Sequence, residues 1–326
     1  MKALVIDELG GPQALRLADV PEPDPRDRVL IQVAVAGVTF PDVLLTRGLY
    51  QVRPNPPFSP GLEVAGKVLE APGGSGFEPG GRVAAFLPYG GYAERVAVPT
   101  ERTIPIPDGI GVEAAAASVV NFHTALFALR RRARLEAGEL LLVLGAAGGL
   151  GAAAIQIGAA LGARVIAVVR NDEGARIARS AGASELLRGY EGLGERLREL
   201  TGGYGADVVF DPVGGEPFAE GLRCLRPDGK LLVLGFAAGQ IPQVQLNRLL
   251  FRNASVLGAA WGSFVEHDPG LVSEGARTLN DWLERGVIAS EVEARYPLQA
   301  GADALADLEA RRIHGKAVLE VGGPTG

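Results

Sequence analysis

In the segment Leu140–Arg170, Gly148 and Gly149 strip side chains from a turn between the apolar run Leu140–Leu144 and an Ala/Ile/Gln stretch with helical periodicity. Ala146, Gly148 and Gly151 take the three slots of a dinucleotide-binding fingerprint, with Leu150 between the last two. Bare backbone at 148 and 149 lets N–H groups approach a pyrophosphate. Gly151 lets the following helix close on the strand with its N-terminus toward the anion. A second β-branched run, Val165–Val169, completes a β-turn-α-β unit at the required spacing, so a cofactor phosphate is expected there. That second run leads into Arg170. A carboxylate at this place accepts from both ribose hydroxyls of NAD and repels a 2′-phosphate, whereas a guanidinium pairs with the phosphate and stacks on adenine. Arg170, with Asn171 adding a hydrogen bond, favours NADPH; Asp172 and Glu173 nearby help NADH compete as the less favoured cofactor.

The elements that must position this turn follow from periodicity. Short strand patterns at Lys2–Ile6, Val29–Val35, Leu62–Leu69 and Arg82–Phe86 are separated by Pro- and Gly-rich turns, which predicts a barrel-like all-β region. From Val112 an Ala-rich helix leads into alternating strands (140–144, 165–169, 208–211, 230–234, 255–260) and helices (149–161, 173–181, 190–201, 217–225). Such alternation predicts a doubly wound parallel sheet. Amphipathic helices at 271–285 and 302–312 and a strand at 316–321 close the pattern.

Composition narrows the function. The 326 residues are 47% apolar and 21% charged with a net charge of −6, which opposes a polyanion-binding surface, so no nucleic-acid partner is expected. No charge-free apolar run of about 18 residues is present and the first residues read as a strand, so the expectation is a cytoplasmic protein without a membrane partner. Cys224 is the one cysteine, which rules out an intrachain disulfide and a cysteine zinc cluster; its helix-to-turn context predicts a small buried apolar role. His123, His267 and His314 are scattered, and only His123, in NFHTA, is expected near a cofactor.

Eight ordered segments run nearly end to end: AGVTFPDVLLTRGLY, PFSPGLEVAGKV, GGRVAAF, GGYAERVAV, the fingerprint, TGGYGADVVFDPVGG, LRPDGKLLVLG and GKAVLEV. On these the chain resembles the zinc-free, ζ-crystallin-like quinone oxidoreductases of the medium-chain dehydrogenase/reductase superfamily. The resemblance implies an α/β fold in which a doubly wound parallel (Rossmann) NAD(P)-binding domain, 116–261, is inserted into a GroES-like β-barrel catalytic domain, 1–115 with 262–326, and an active site in the cleft. Zinc-dependent members of the superfamily carry Cys where this chain has Thr39 and His where it has Leu62. No zinc is therefore expected, and hydride must pass to an acceptor that is already electrophilic.

The same resemblance assigns roles by position. Thr39 and Tyr50 are the catalytic candidates, Thr39 as a shorter hydroxyl donor where the family motif has Asn and Tyr50 as a hydrogen-bond or proton donor to the reduced product. Phe40, Phe58 and Trp261 would line the substrate pocket, and Asp42 and Glu63 would be structural acceptors. Thr124, Val213, Gly214, Gly235, Phe236 and Lys316 would contact the cofactor. The family commonly adds a Lys four residues beyond Arg170, where this chain has Gly174. The leading substrate is a quinone; α,β-unsaturated carbonyls such as 2-alkenals or enoyl thioesters are the alternative that Thr39 strengthens, and a cofactor-binding sensor or structural protein with little turnover is the alternative of another class. Ser255–Ala260 resembles the last nucleotide-domain strand, whose apolar edge a homodimer would bury.

Overall fold

The computed structural model describes residues 1–322; the last four residues of the expected 262–326 segment lie outside it. The chain divides into two compact units, one of Met1–His123 with the chain from Phe264 onward, the other Thr124–Ser263. The division falls inside the helix Val112–Leu126.

The first unit begins with β1 (Lys2–Ile6) and β2 (Leu15–Asp19), an antiparallel pair. β3 (Val29–Val38) alternates inward and outward over its first half and is buried on both faces over its second, which its Val/Ile/Ala content permits. The short helix α1 (Phe40–Thr46) follows, then β4 (Glu63–Glu70), β5 (Arg82–Phe86), β6 (Arg95–Val98) and β7 (Thr103–Pro105). Helix α2 (Val112–Leu126) continues as π-helical turns through Phe127–Ala133. Val112–Ala133 has the length and apolarity to cross a bilayer, but 67% of its apolar window is buried inside the protein, as in a core helix.

In the second unit β8 (Leu140–Val143), α3 (Gly149–Ala160), β9 (Arg164–Val169), α4 (Asp172–Ser180), β10 (Glu185–Arg188), α5 (Leu193–Leu200), β11 (Ala206–Asp211), α6 (Gly215–Cys224), β12 (Leu225–Val233), α7 (Asn247–Leu250) and β13 (Ser255–Gly258) alternate. All strand pairs in this unit are parallel, and the order is β10-β9-β8-β11-β12-β13. Numbered within the sheet this is 3-2-1-4-5-6, the doubly wound order that reverses direction between its first and fourth strands. Leu142, Leu144, Ile166 and Val168 pack under Leu193, Leu197, Phe218 and Leu222. Cys224 joins that core, where burial pushes its thiol up to about 12 and leaves it a small apolar residue.

Helix α8 (Trp261–Val265) precedes the return to the first unit, which is completed by α9 (Gly270–Glu284), β14 (Ala294–Pro297), α10 (Gly301–Glu309) and β15 (Ala317–Glu320). β15 inserts between β14 and β3 in a sheet ordered β14-β15-β3-β4-β5-β7, with β6 also on β3.

Candidate functional site

The turn after β8 is made by Gly145, whose φ of +61° puts it in the left-handed region that favours glycine. Gly148 N–H donates to the Gly145 carbonyl at 3.1 Å, and a Cβ at Gly151 would lie 2.3 Å from that same oxygen. The glycines that the backbone requires are thus 145 and 151. Ala146, placed in the first slot by sequence, is fully buried just beyond the turn. Gly148 is the N-cap of α3, and no described side chain caps the helix or puts an acid in its first turn. An uncapped helix N-terminus with bare amides fits an anionic pyrophosphate and leaves room for its approach.

The neighbouring loops converge on this turn at the sheet's reversal point. A Cβ at Gly145 would lie 2.9 Å from Val213 Cγ2. Val213 and Gly214 N–H groups donate to Asp211 Oδ1 at 2.8 and 3.0 Å, which fixes the loop after β11. Ala237 and Ala238 N–H groups reach back to Pro212 and Val213 carbonyls at 3.2 and 2.9 Å, so Val213, Gly214, Gly235 and Phe236 share one ledge. At the end of β9 Arg170 is exposed. Asn171 spends its Oδ1 capping α4 through Gly174 N–H at 2.8 Å. Thr124, half-buried, opens this unit.

The first unit gathers a second group. Thr39 caps α1 in a capping box with Asp42, and both its N–H and its hydroxyl donate to Asp42 Oδ2, at 2.9 and 2.6 Å. Gly61 N–H donates to the other carboxylate oxygen at 2.9 Å. Burial raises Asp42 to about 6 against the pull of its Thr39 hydrogen bonds, the facing Tyr92 hydroxyl and the Lys316 charge. Tyr92 is held well above its ordinary value by its own burial and by Asp42. Tyr50 accepts from Gln51 Nε2 at 3.2 Å; burial and then the Asp42 charge push it up to about 12. A phenol so raised stays protonated and acts as a hydrogen-bond donor in preference to releasing its proton. Glu63, fully buried, takes Val120 N–H at 2.6 Å and pairs with Lys316, whose ammonium also donates to the Val38 carbonyl at 2.9 Å.

A family model described as alcohol dehydrogenase GroES-like domain matches residues 25–108, and one described as zinc-binding dehydrogenase matches 149–276. A curated "Quinone oxidoreductase" of Pseudomonas aeruginosa is 37% identical over 95% of this chain and 96% of its own. The chain belongs to the quinone oxidoreductases of the medium-chain dehydrogenase/reductase superfamily. Among solved structures, a probable oxidoreductase from Mycobacterium abscessus matches at 44% identity and TM-score 0.89 over 98% of this chain and 99% of that one. The quinone oxidoreductase from Thermus thermophilus, solved also in complex with NADPH, matches at 37% identity and TM-score 0.84 over 98% and 100%. The chain is accordingly an oxidoreductase with a GroES-like domain and a Rossmann-type parallel sheet.

In this family member the fold draws the expected residues into two sets. Ala146 to Gly151, Val213, Gly214, Gly235, Phe236, Arg170 and Asn171 lie on the second unit, with Trp261 buried near its end. Thr39, Phe40, Tyr50 and Phe58 lie on the first, where Phe58 is buried edge-on to Tyr89 at 6.2 Å between centroids. Two of the expected residues have partners within the protein. The Thr39 hydroxyl, expected to offer its proton outward, gives it to Asp42 and presents lone pairs instead. Lys316, expected at the cofactor, has its ammonium committed to Glu63 and Val38. His123 is a packed interior residue: Nδ1 lies 2.8 Å from the Val119 carbonyl, and a Cβ at Gly275 of α9 would lie 2.6 Å from its ring. Sequence reasoning missed Gly145, one residue ahead of the slot it assigned, and Tyr190, whose hydroxyl accepts from Gly145 N–H at 3.3 Å.

Asp42 and His123 act oppositely on stability. Asp42 resists ionisation, so its contribution is present below its ordinary 3.8 and lost as pH rises through about 6. Burial lowers His123 to about 4, so its contribution is present above its ordinary 6.5 and lost as pH falls through about 4. Between these limits the two offset each other. Asp42→Asn is expected to remove the contribution that offsets the histidine's, so stability should fall more steeply from pH 6.5 to 4 than in the parent. Urea unfolding across that range checks this, and parallel slopes would refute it.

Proposed function

We propose that this family member is an NADPH-dependent reductase that transfers hydride to a quinone without zinc. The observation that carries the reading is the glycine turn on an uncapped helix N-terminus, with Arg170 closing the adjacent strand. The NADPH complex of the Thermus relative supports the cofactor, and the names of the curated relatives support the acceptor. Thr39 and Leu62 stand where zinc-dependent members carry Cys and His, and neither side chain is a customary zinc ligand.

When bound, NADPH supplies the hydride. The amides of Gly148 to Gly151 would hold its pyrophosphate, Thr124 and the ledge of Val213, Gly214, Gly235 and Phe236 would orient its far end, and Arg170 would take the 2′-phosphate. Tyr50 donates a hydrogen bond to the oxygen on which negative charge develops. Thr39 and Asp42 fix the start of α1, and Phe40 and Phe58 give the acceptor an apolar surround. A second reading, reduction of α,β-unsaturated carbonyls, is favoured by the Thr39 hydroxyl being turned toward Asp42, because no donor then replaces the family's Asn. NADPH oxidation measured in parallel with small quinones and 2-alkenals tests both. Turnover with quinones and not alkenals supports the first reading, the reverse supports the second, and no turnover with either refutes both.

The active form is a homodimer paired along β13. That strand bonds to β12 on one side only among the described residues. In the chain leading to it Ile241, Leu246, Leu250 and Phe251 are largely exposed, Phe251 at 81%. An apolar strand edge preceded by such exposed apolar residues is buried by a second copy across a two-fold axis. Sedimentation at micromolar concentration is expected to give twice the 33.9 kDa chain mass. A monomer there would overturn it.

A further inference from the structure

A second cation stands beside Arg170. In the parallel pairing of β9 with β10, Arg188 is in register with Val169, the residue before Arg170. Two arginines therefore end neighbouring strands at the edge of the sheet from which ligands are bound in doubly wound folds. The loop carrying Arg188 is tied down. Arg196 of α5 donates to the carbonyls of Arg188, Gly189 and Glu191, and the Tyr190 hydroxyl accepts from Gly145 of the phosphate-binding turn. The Arg188 guanidinium itself is on the surface, paired with Asp172 of the first turn of α4; the side chains are 58% and 92% exposed. An ion pair this exposed contributes little, so Arg188 exchanges Asp172 for a stronger anion at small cost. Two other charges of this edge are engaged elsewhere, Glu173 with Arg176 and Arg196 with backbone, while Glu191 on the same loop is exposed. Arg170 is exposed and has no ion-pair partner among the described residues.

We propose that Arg188 is a second specificity residue for the 2′-phosphate of NADPH, acting with Arg170, and that Asp172 competes for it. The proposal rests on the NADPH reading of the glycine turn. A phosphate monoester offers three acceptor oxygens and close to two charges, more than one guanidinium fork can satisfy. With the phosphate present, Arg188 leaves Asp172 and closes on the ester from the β10 side. With NADH, Arg188 stays on Asp172 and contributes nothing to binding.

Dissociation constants for NADPH, NADH and adenosine 2′,5′-bisphosphate, measured by calorimetry on the whole chain and on Arg188→Gln, Arg188→Lys and Asp172→Asn, test this. Arg188→Gln is expected to weaken NADPH and the bisphosphate by roughly tenfold, the scale of one charge-assisted contact, and to leave NADH within about twofold. Arg188→Lys should fall between, and Asp172→Asn should tighten NADPH and the bisphosphate and leave NADH unchanged. All these residues are on the surface, and melting curves matching the parent's establish that each variant is folded. Equal effects of Arg188→Gln on NADPH and NADH, or none on either, would overturn the proposal while leaving the cofactor reading intact. A parent protein that binds neither nucleotide, or both alike, overturns the cofactor reading and the proposal with it.

Discussion

Replacing Lys316 by methionine is expected to lower the unfolding free energy by about 3–5 kcal/mol, the range for removing one partner of a buried ion pair. The Lys316 side chain is 7% exposed and that of Glu63 is 0%. Without the ammonium, the Glu63 carboxylate keeps one backbone donor, Val120 N–H, and has no counter-charge. The loss should come mainly from that stranded charge, because the methionine fills nearly the same volume. Lys316→Met combined with Glu63→Gln should then recover a large part of it, since glutamine still accepts from Val120 N–H and carries no charge. Urea titrations of the two single variants and the double at pH 7 give the coupling directly. A Lys316→Met protein within about 1 kcal/mol of the parent would show that the pair is solvated in a way its burial denies.

Gly151→Val is the second change with a large expected effect. Its Cβ would lie 2.3 Å from the Gly145 carbonyl oxygen and 2.8 Å from Ala146 Cα. Both are main chain and cannot rotate aside, so the turn must open or α3 must lift from β8. We expect about 1–3 kcal/mol of destabilisation, the usual range for overpacking, and loss of NADPH affinity beyond tenfold, roughly the worth of one charged hydrogen bond. Gly148→Ala separates the two effects. Gly148 has an ordinary φ of −83°, and its Cβ would sit 3.5 Å from its nearest neighbour, the Gly145 oxygen, so the fold should be unaffected. That methyl group stands at the cap of the helix where the anion approaches, and nucleotide affinity alone should fall. Melting temperatures and nucleotide titrations of both variants decide this; a Gly151→Val protein that binds and melts like the parent would contradict the backbone argument.

The parallel unit is legible in sequence because its central strands β8, β9 and β11 are buried along nearly their whole length and read as apolar runs between glycine turns. β10 escapes notice for the opposite reason: Glu185–Arg188 is short, partly exposed and mixed in composition. With it goes the location of Arg188. Helix α1 is hidden because its seven residues hold less than two full helical turns, and only the Thr39 and Asp42 spacing marks its start. The glycine turn is visible, but spacing alone cannot tell that Gly145, just ahead of the first slot, is the residue that takes a positive φ. Residue types suggest that Thr39 could donate a proton and that Lys316 could meet an anion. Only three-dimensional neighbours reveal that both already have partners, at Asp42 and at Glu63, three and 253 positions away.

The insertion of β15 between β14 and β3 also orders events during synthesis on the ribosome. By the time Gly258 has been polymerised, every strand of the parallel sheet has been made. At that moment one flank of β3, from Val35 to Val38, still waits for Ala317–Glu320. The first unit is thus completed after the second, and the Val35–Val38 edge of β3 lacks its strand partner while about sixty further codons are read.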